Sequence, residues 1–108
     1  MQAERLKILT ELVKTEPNEP FNRYALAMEY IGSDSQEALK HLEVLLNGFA
    51  NYLATYYQAA IIYAEQDEEE KAKVTFEKGI ALAKKQGNEK ILKELKGAFQ
   101  MYKGEWEV

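Results

Sequence analysis

At 108 residues, 46% of them apolar, the chain is long enough for one domain with its own core and too short for two. It has no cysteine, which excludes disulfides and thiolate-held metals and fits a reducing compartment. A formal net charge of −4 argues against general nucleic-acid binding.

The opening residues, MQAERLKILTEL, bring Glu4 and Arg5 where a secretory leader would be apolar. No apolar run approaches the roughly 20 residues of a membrane span. The expectation is a soluble, cytoplasmic, single domain.

Strand signals are missing, with no Asn-Gly or Asp-Gly turn and no long period-two alternation. Six amphipathic helices are predicted instead, over 2–15, 19–31, 35–48, 52–65, 68–85 and 88–102. Asn18 is expected to cap the second, with Glu19 and Pro20 in its first turn, where a missing N–H costs little. Ser35 is expected to cap the third. Asp67 and Glu70 have the spacing of a capping box for the fifth. Lys84 and Lys85 answer the negative end of that helix's dipole, and Gly87 takes the left-handed position after it. Asn88 then caps the sixth, in which Ile91, Leu95, Ala98 and Tyr102 line one face, joined by Leu92 and Phe99. Short joins make neighbouring helices antiparallel hairpins. The tail, 104–108, is expected to be loose, with Trp106 an exposed aromatic in it.

Small residues recur where large ones would bury more surface. Tyr56, Ala60 and Tyr63 follow at spacings of four and three, and so do Ala72, Phe76 and Gly79. Ala60 and Ala72 fall where two antiparallel helices cross most closely, so only a one-carbon side chain fits. Gly79 costs about 1 kcal/mol in a helix interior relative to alanine, and close approach by the next helix is its expected use. The earlier hairpin answers with Ala27, Tyr30, Ala38, Leu42 and Leu45. The offset is 33 residues from Ala27 to Ala60 and 34 from Ala38 to Ala72. Self-similarity at that period, with two helices per unit, marks a helical repeat.

The run Tyr56-x3-Ala60-x2-Tyr63-x8-Ala72-x3-Phe76-x2-Gly79 resembles the tetratricopeptide-repeat (TPR) family without a gap. The first unit departs from it: Arg23 stands where a large apolar residue is usual, and its turn is one residue short. Residues 5–17 resemble the second helix of a preceding half-repeat, ending in Glu16-Pro17-Asn18 like the family's Asp-Pro-Asn. The segments RYALAMEY, YLATYYQAA and FEKGIALAKKQGNEKILKEL resemble small stand-alone bacterial TPR proteins of unknown function. The resemblance implies an all-α, right-handed α-solenoid of antiparallel helix hairpins over 1–103. Its parts are a half-repeat (2–18), repeat one (19–50), repeat two (52–86) and a capping helix (88–102).

The resemblance also implies a non-catalytic scaffold or adaptor that binds a protein or peptide on its concave face. The family's groove positions fall on Phe21, Tyr24, Met28 and Ile31, then Ala54, Tyr57, Ile61 and Ala64, with Leu92 and Phe99 as an extension. Family members that grip acidic chaperone tails use a Lys/Asn/Arg clamp. Tyr24 and Tyr57 stand at its lysine positions and Met28 and Ile61 at its asparagine positions, which argues against that ligand. An apolar, Tyr- and Met-bearing surface suits an amphipathic helix or an extended apolar peptide. Two alternatives stay open for this face: closure by the chain's own end helices, and self-association as a weak homodimer.

Nothing points to catalysis, a metal or a cofactor. His41, beside Lys40 and Glu43 and one turn from Glu37, reads as a solvated surface histidine without a partner nucleophile. The run Glu65-Gln66-Asp67-Glu68-Glu69-Glu70 reads as carboxylates answering a helix N-terminus, without the alternating ligands and glycine of a calcium loop. Lys84, Lys85, Lys90, Lys93, Lys96 and Lys103 read as the solvated outer face of a capping helix.

Overall fold

A computed structural model describes residues 2–107, and among these residues the regular structure is entirely α-helical. The helices are α1 (Gln2–Thr15), α2 (Pro20–Tyr30), α3 (Ser35–Gly48), α4 (Ala54–Glu65), α5 (Glu69–Gln86) and α6 (Glu89–Trp106). The chain divides after Tyr52 into two compact units. In the first, α2 packs against both α1 and α3. In the second, α5 packs against α4 and α6, and α4 also touches α6.

Local signals explain most helix ends, with shifts of a residue. Pro20 opens α2, and Glu19 rather than Asn18 is its cap, its carboxylate accepting from the Phe21 N–H at 3.2 Å. Asp34 rather than Ser35 caps α3, accepting from the Glu37 N–H at 3.1 Å. Asn88 caps α6, accepting from the Ile91 N–H at 3.0 Å. Gly87 takes the left-handed conformation at φ 69°. There the Gly87 N–H donates to the Lys84 carbonyl at 3.2 Å and the Asn88 N–H to the Ala83 carbonyl at 2.9 Å, the Schellman closure of a helix.

Asp67 is not a cap. It stands at φ 60°, the position that Gly87 holds after α5. Its N–H donates to the Ala64 carbonyl at 3.1 Å and the Glu68 N–H to the Tyr63 carbonyl at 2.9 Å, so α4 ends in the same closure with an aspartate in glycine's place. The tail also differs from expectation. The last helix continues through Trp106, whose ring stacks on Tyr102 one turn earlier at 6.1 Å.

Each unit has its own core. Leu26, Ala27, Ala38, Leu39, Leu42 and Leu45 fill the first. Ala60, Ala72, Phe76 and Leu95, all fully enclosed, centre the second. Burying a side chain such as Phe76 is worth about 1.5–3 kcal/mol, more than the about 1 kcal/mol of a typical cap. Ala27, Ala38, Ala60 and Ala72 are each 0% exposed, as the narrow points of two helix crossings require. Gly79 is tighter still. A Cβ placed on it would lie 2.7 Å from Tyr56 Cβ on α4 and 3.2 Å from Leu95 Cδ1 on α6. The closest approach therefore comes from its own hairpin partner, with the next helix second.

Candidate peptide-binding face

In the first unit, α2 turns two faces to two environments. Asn22, Leu26 and Ala27 are buried against neighbouring helices. Phe21, Tyr24 and Met28, at helical spacings of three and four, fall on another face. Phe21 is 58% exposed and Met28 37%, while Tyr24 and Ile31 are half-buried. Tyr24 is steadied by Tyr52, ring to ring at 5.7 Å and 58°. Burial, and then the Glu19 carboxylate, push the Tyr52 hydroxyl's pKa up from 10.0. Beside these rings a cleft of about 400 Å³ is lined by Pro20, Gly48, Phe49, Ala50, Asn51 and Tyr52. Sequence periodicity misses it because half its wall is the loop after α3.

In the second unit, α4 behaves similarly. Tyr56, Ala60 and Tyr63 are buried, and Ala54, Tyr57 and Ile61 are half-buried on another side. Ala64 is only 6% exposed and belongs with the core. The last helix meets this face differently from the sequence reading. Phe99 stacks on Phe76 at 5.0 Å and 13°, so it is core rather than a groove extension, with Leu92 half-buried on the same side. On α6, Met101 is 55% exposed and Tyr102 half-buried.

His41 also departs from expectation. Its side chain is 17% exposed, with the ring stacked on Tyr30 at 5.9 Å and 12°. Arg23 Nη1 lies 3.1 Å from His41 Nδ1, and Glu37 Oε2 lies 3.5 Å from His41 Nε2. A guanidinium only donates, so Nδ1 accepts and the ring proton sits on Nε2, toward Glu37. Burial first, then the Arg23 charge, lower its pKa below 6.5; Glu37 opposes this and Lys40 adds to it. The histidine is thus a neutral bridge between α2 and α3.

Carboxylates of the acidic run are spread over the α4–α5 turn. Glu68 pairs with Lys71 at 3.7 Å, and Glu69 and Glu70 lie in the first turn of α5. Among the described residues no group of three or more His, Cys, Asp or Glu is placed to hold a metal ion. No helix among them is long and apolar enough to cross a membrane.

No protein-family profile matches the chain, and no curated protein matches it. Solved structures do. The crystal structure of a tetratricopeptide repeat domain protein from Salinibacter ruber matches with a TM-score of 0.76 at 36% identity, over 80% of this chain and 97% of that one. A solution NMR structure of a tetratricopeptide repeat domain protein from the same organism matches with a TM-score of 0.75 at 36% identity, over 82% and 91%. Identity at that level extends over nearly the whole of those chains. The chain belongs to the tetratricopeptide-repeat family, an all-α fold built for protein interaction.

Proposed function

We propose that the protein is a non-catalytic scaffold or adaptor that holds a peptide or helix of a partner protein on the outward faces of α2 and α4. The residues are Phe21, Tyr24 and Met28 on α2, Ile31 just after it, and Ala54, Tyr57 and Ile61 on α4. One observation supports this above the others. Phe21 and Met28 remain 58% and 37% exposed on a helix whose other face is buried. Exposed aromatic and thioether side chains grouped on one face are a surface for a partner. Tyrosines and apolar residues at the clamp positions direct the reading away from acidic chaperone tails. The cytoplasm is the compartment this reading assigns, and it calls for no cofactor or nucleic acid.

The test is affinity capture from a native lysate with mass spectrometry, comparing wild type with Phe21→Ala combined with Tyr57→Ala. The pair should lose specific partners and keep its helicity and cooperative melting. Unchanged capture by the folded variant sinks the reading. The same exposed residues also support a second reading, self-association through this face. Light scattering behind a sizing column at roughly 100 µM, above typical transient affinities, separates the two. A dimer that Phe21→Ala dissolves favours the second, and a strict monomer rules it out.

A further inference from the structure

Within the second unit, α6 has two flanks of different chemistry. At about 100° per residue, Glu94, Ala98, Met101, Tyr102 and Glu105 fall to one side of the buried Leu95 and Phe99. Leu92, Lys96 and Lys103 fall to the other. That second flank belongs to α5: Phe99 stacks on Phe76, and Lys103 shares a cleft with Glu69, Glu70 and Lys73. α4 touches α6 in this unit. Tyr102, on the first flank, has its ring 6.3 Å from Phe76, and burial, then Glu65, Glu105 and Tyr57, raise its hydroxyl pKa. Tyr57 and Ile61 on α4, half-buried, and Tyr102, half-buried, with Met101, 55% exposed, on the first flank of α6 are the apolar side chains this side offers.

The border of this apolar side is acidic. Glu65, Glu94 and Glu105 are all exposed. Of the described α6 lysines, Lys90 alone falls toward this flank, near its start. The C-termini of α4 and α6 lie at the Glu65 and Glu105 end, and each adds the equivalent of about half a negative charge there. An anionic helix laid on this side would meet like charge, and a cationic one would be drawn in.

We propose that the α4/α6 face of the second unit accepts an amphipathic helix with a cationic polar flank. Its apolar side chains lie on Tyr57, Ile61, Met101 and Tyr102, and its Lys or Arg side chains on Glu65, Glu94 and Glu105. This rests on the groove reading of Tyr57 and Ile61 above and adds the partner's charge.

Two synthetic helices of about five turns test it on the full chain. They share one leucine stripe and carry either lysine or glutamate on the polar face. Binding is followed by NMR chemical-shift mapping. The lysine helix should bind at least about tenfold more tightly, about 1.4 kcal/mol, and shift Tyr57, Ile61, Met101 and Tyr102. Glu65→Gln with Glu105→Gln should weaken that binding severalfold without changing the melting temperature. Equal affinity for both helices keeps the groove reading and overturns the cationic partner. Shifts centred on Glu68, Glu69 and Glu70 instead of Tyr57, Ile61, Met101 and Tyr102 also overturn it, as does unchanged affinity in the double variant. Binding of neither helix overturns the groove reading together with this one.

Discussion

Two glycines in regular helix make opposite predictions under the same substitution. Gly97, in α6, is exposed, and a Cβ there would meet nothing within 4 Å. Gly97→Ala should therefore realise the intrinsic advantage of alanine, up to about 1 kcal/mol. Gly79→Ala has the same advantage but places its methyl 2.7 Å from Tyr56 Cβ and 3.2 Å from Leu95 Cδ1. Carbon atoms settle at about 3.5–4.0 Å. The Leu95 terminal methyl has room to swing aside. Tyr56 Cβ is bonded to the α4 backbone, so relief there needs α4 itself to move by roughly 1 Å, the shortfall from that ordinary separation. Ala60, Ala72 and Phe76, each 0% exposed, lie in the same packing and have no slack for that movement. Overpacking of this kind costs about 1–3 kcal/mol. The net for Gly79→Ala is then a loss of about 1 kcal/mol, which lowers the melting temperature by about 4–8 °C if the second unit melts as a small domain. Urea denaturation followed by far-UV circular dichroism, with the slope checked for constancy, measures both variants. A Gly79→Ala protein as stable as Gly97→Ala would refute the argument that close approach by Tyr56 demands glycine.

Three further outcomes follow from single groups. Asp67→Gly should stabilise the protein by up to about 1 kcal/mol in the same urea assay, because φ 60° is strained for an L-residue and free for glycine. Thr55 is 0% exposed and its Oγ1 has no hydrogen-bond partner among the described residues. Thr55→Val should therefore gain about 1 kcal/mol, read as a higher denaturation midpoint, by removing an uncompensated buried hydroxyl. His41 has a folded pKa below its ordinary 6.5, so below pH 6.5 the unfolded chain binds a proton that the folded chain resists. Stability should be full above that pH and decline as pH falls through 6.5, levelling off once the folded histidine also protonates. His41→Gln should flatten that part of the curve, and NMR titration of the ring should place its midpoint below 6.5.

The repeat type is legible in the spacing of alanine and glycine because a helix crossing imposes a strict size limit that leaves little choice of residue. Finer features depend on choices that local rules leave open. Asp34 and Ser35 are both good caps, and only the backbone path selects the aspartate. Asp67 has the spacing of a capping box, yet the closure of α4 claims it first as the left-handed residue. The rotation of α6 is set by the stacking of Phe99 on Phe76, 23 positions apart, and no local period reports it. Tyr102 therefore emerges as a neighbour of Tyr57 only in the folded chain. Trp106 likewise extends its helix through a ring contact that the charged, glycine-bearing tail conceals.

Arg23 and His41 show why the first repeat departs from the pattern that the second keeps. By the 33- and 34-residue offsets, Arg23 corresponds to Tyr56 and Leu45 to Gly79. In the second unit a large ring on the first helix lies over a bare backbone on the second. In the first unit that backbone carries a leucine, which is 0% exposed and fills the space such a ring would need. An aromatic side chain at position 23 would therefore be overpacked. An arginine has a thinner, flexible stem, and its guanidinium finds an acceptor at His41 Nδ1, 3.1 Å away. The imidazole must stay neutral to accept that bond, so the Arg23 charge adds to the burial that already makes it resist protonation. The departure at Arg23 is thus the counterpart of Leu45: bulk has moved from one helix of the pair to the other, and a polar bridge has taken the place of an aromatic lock.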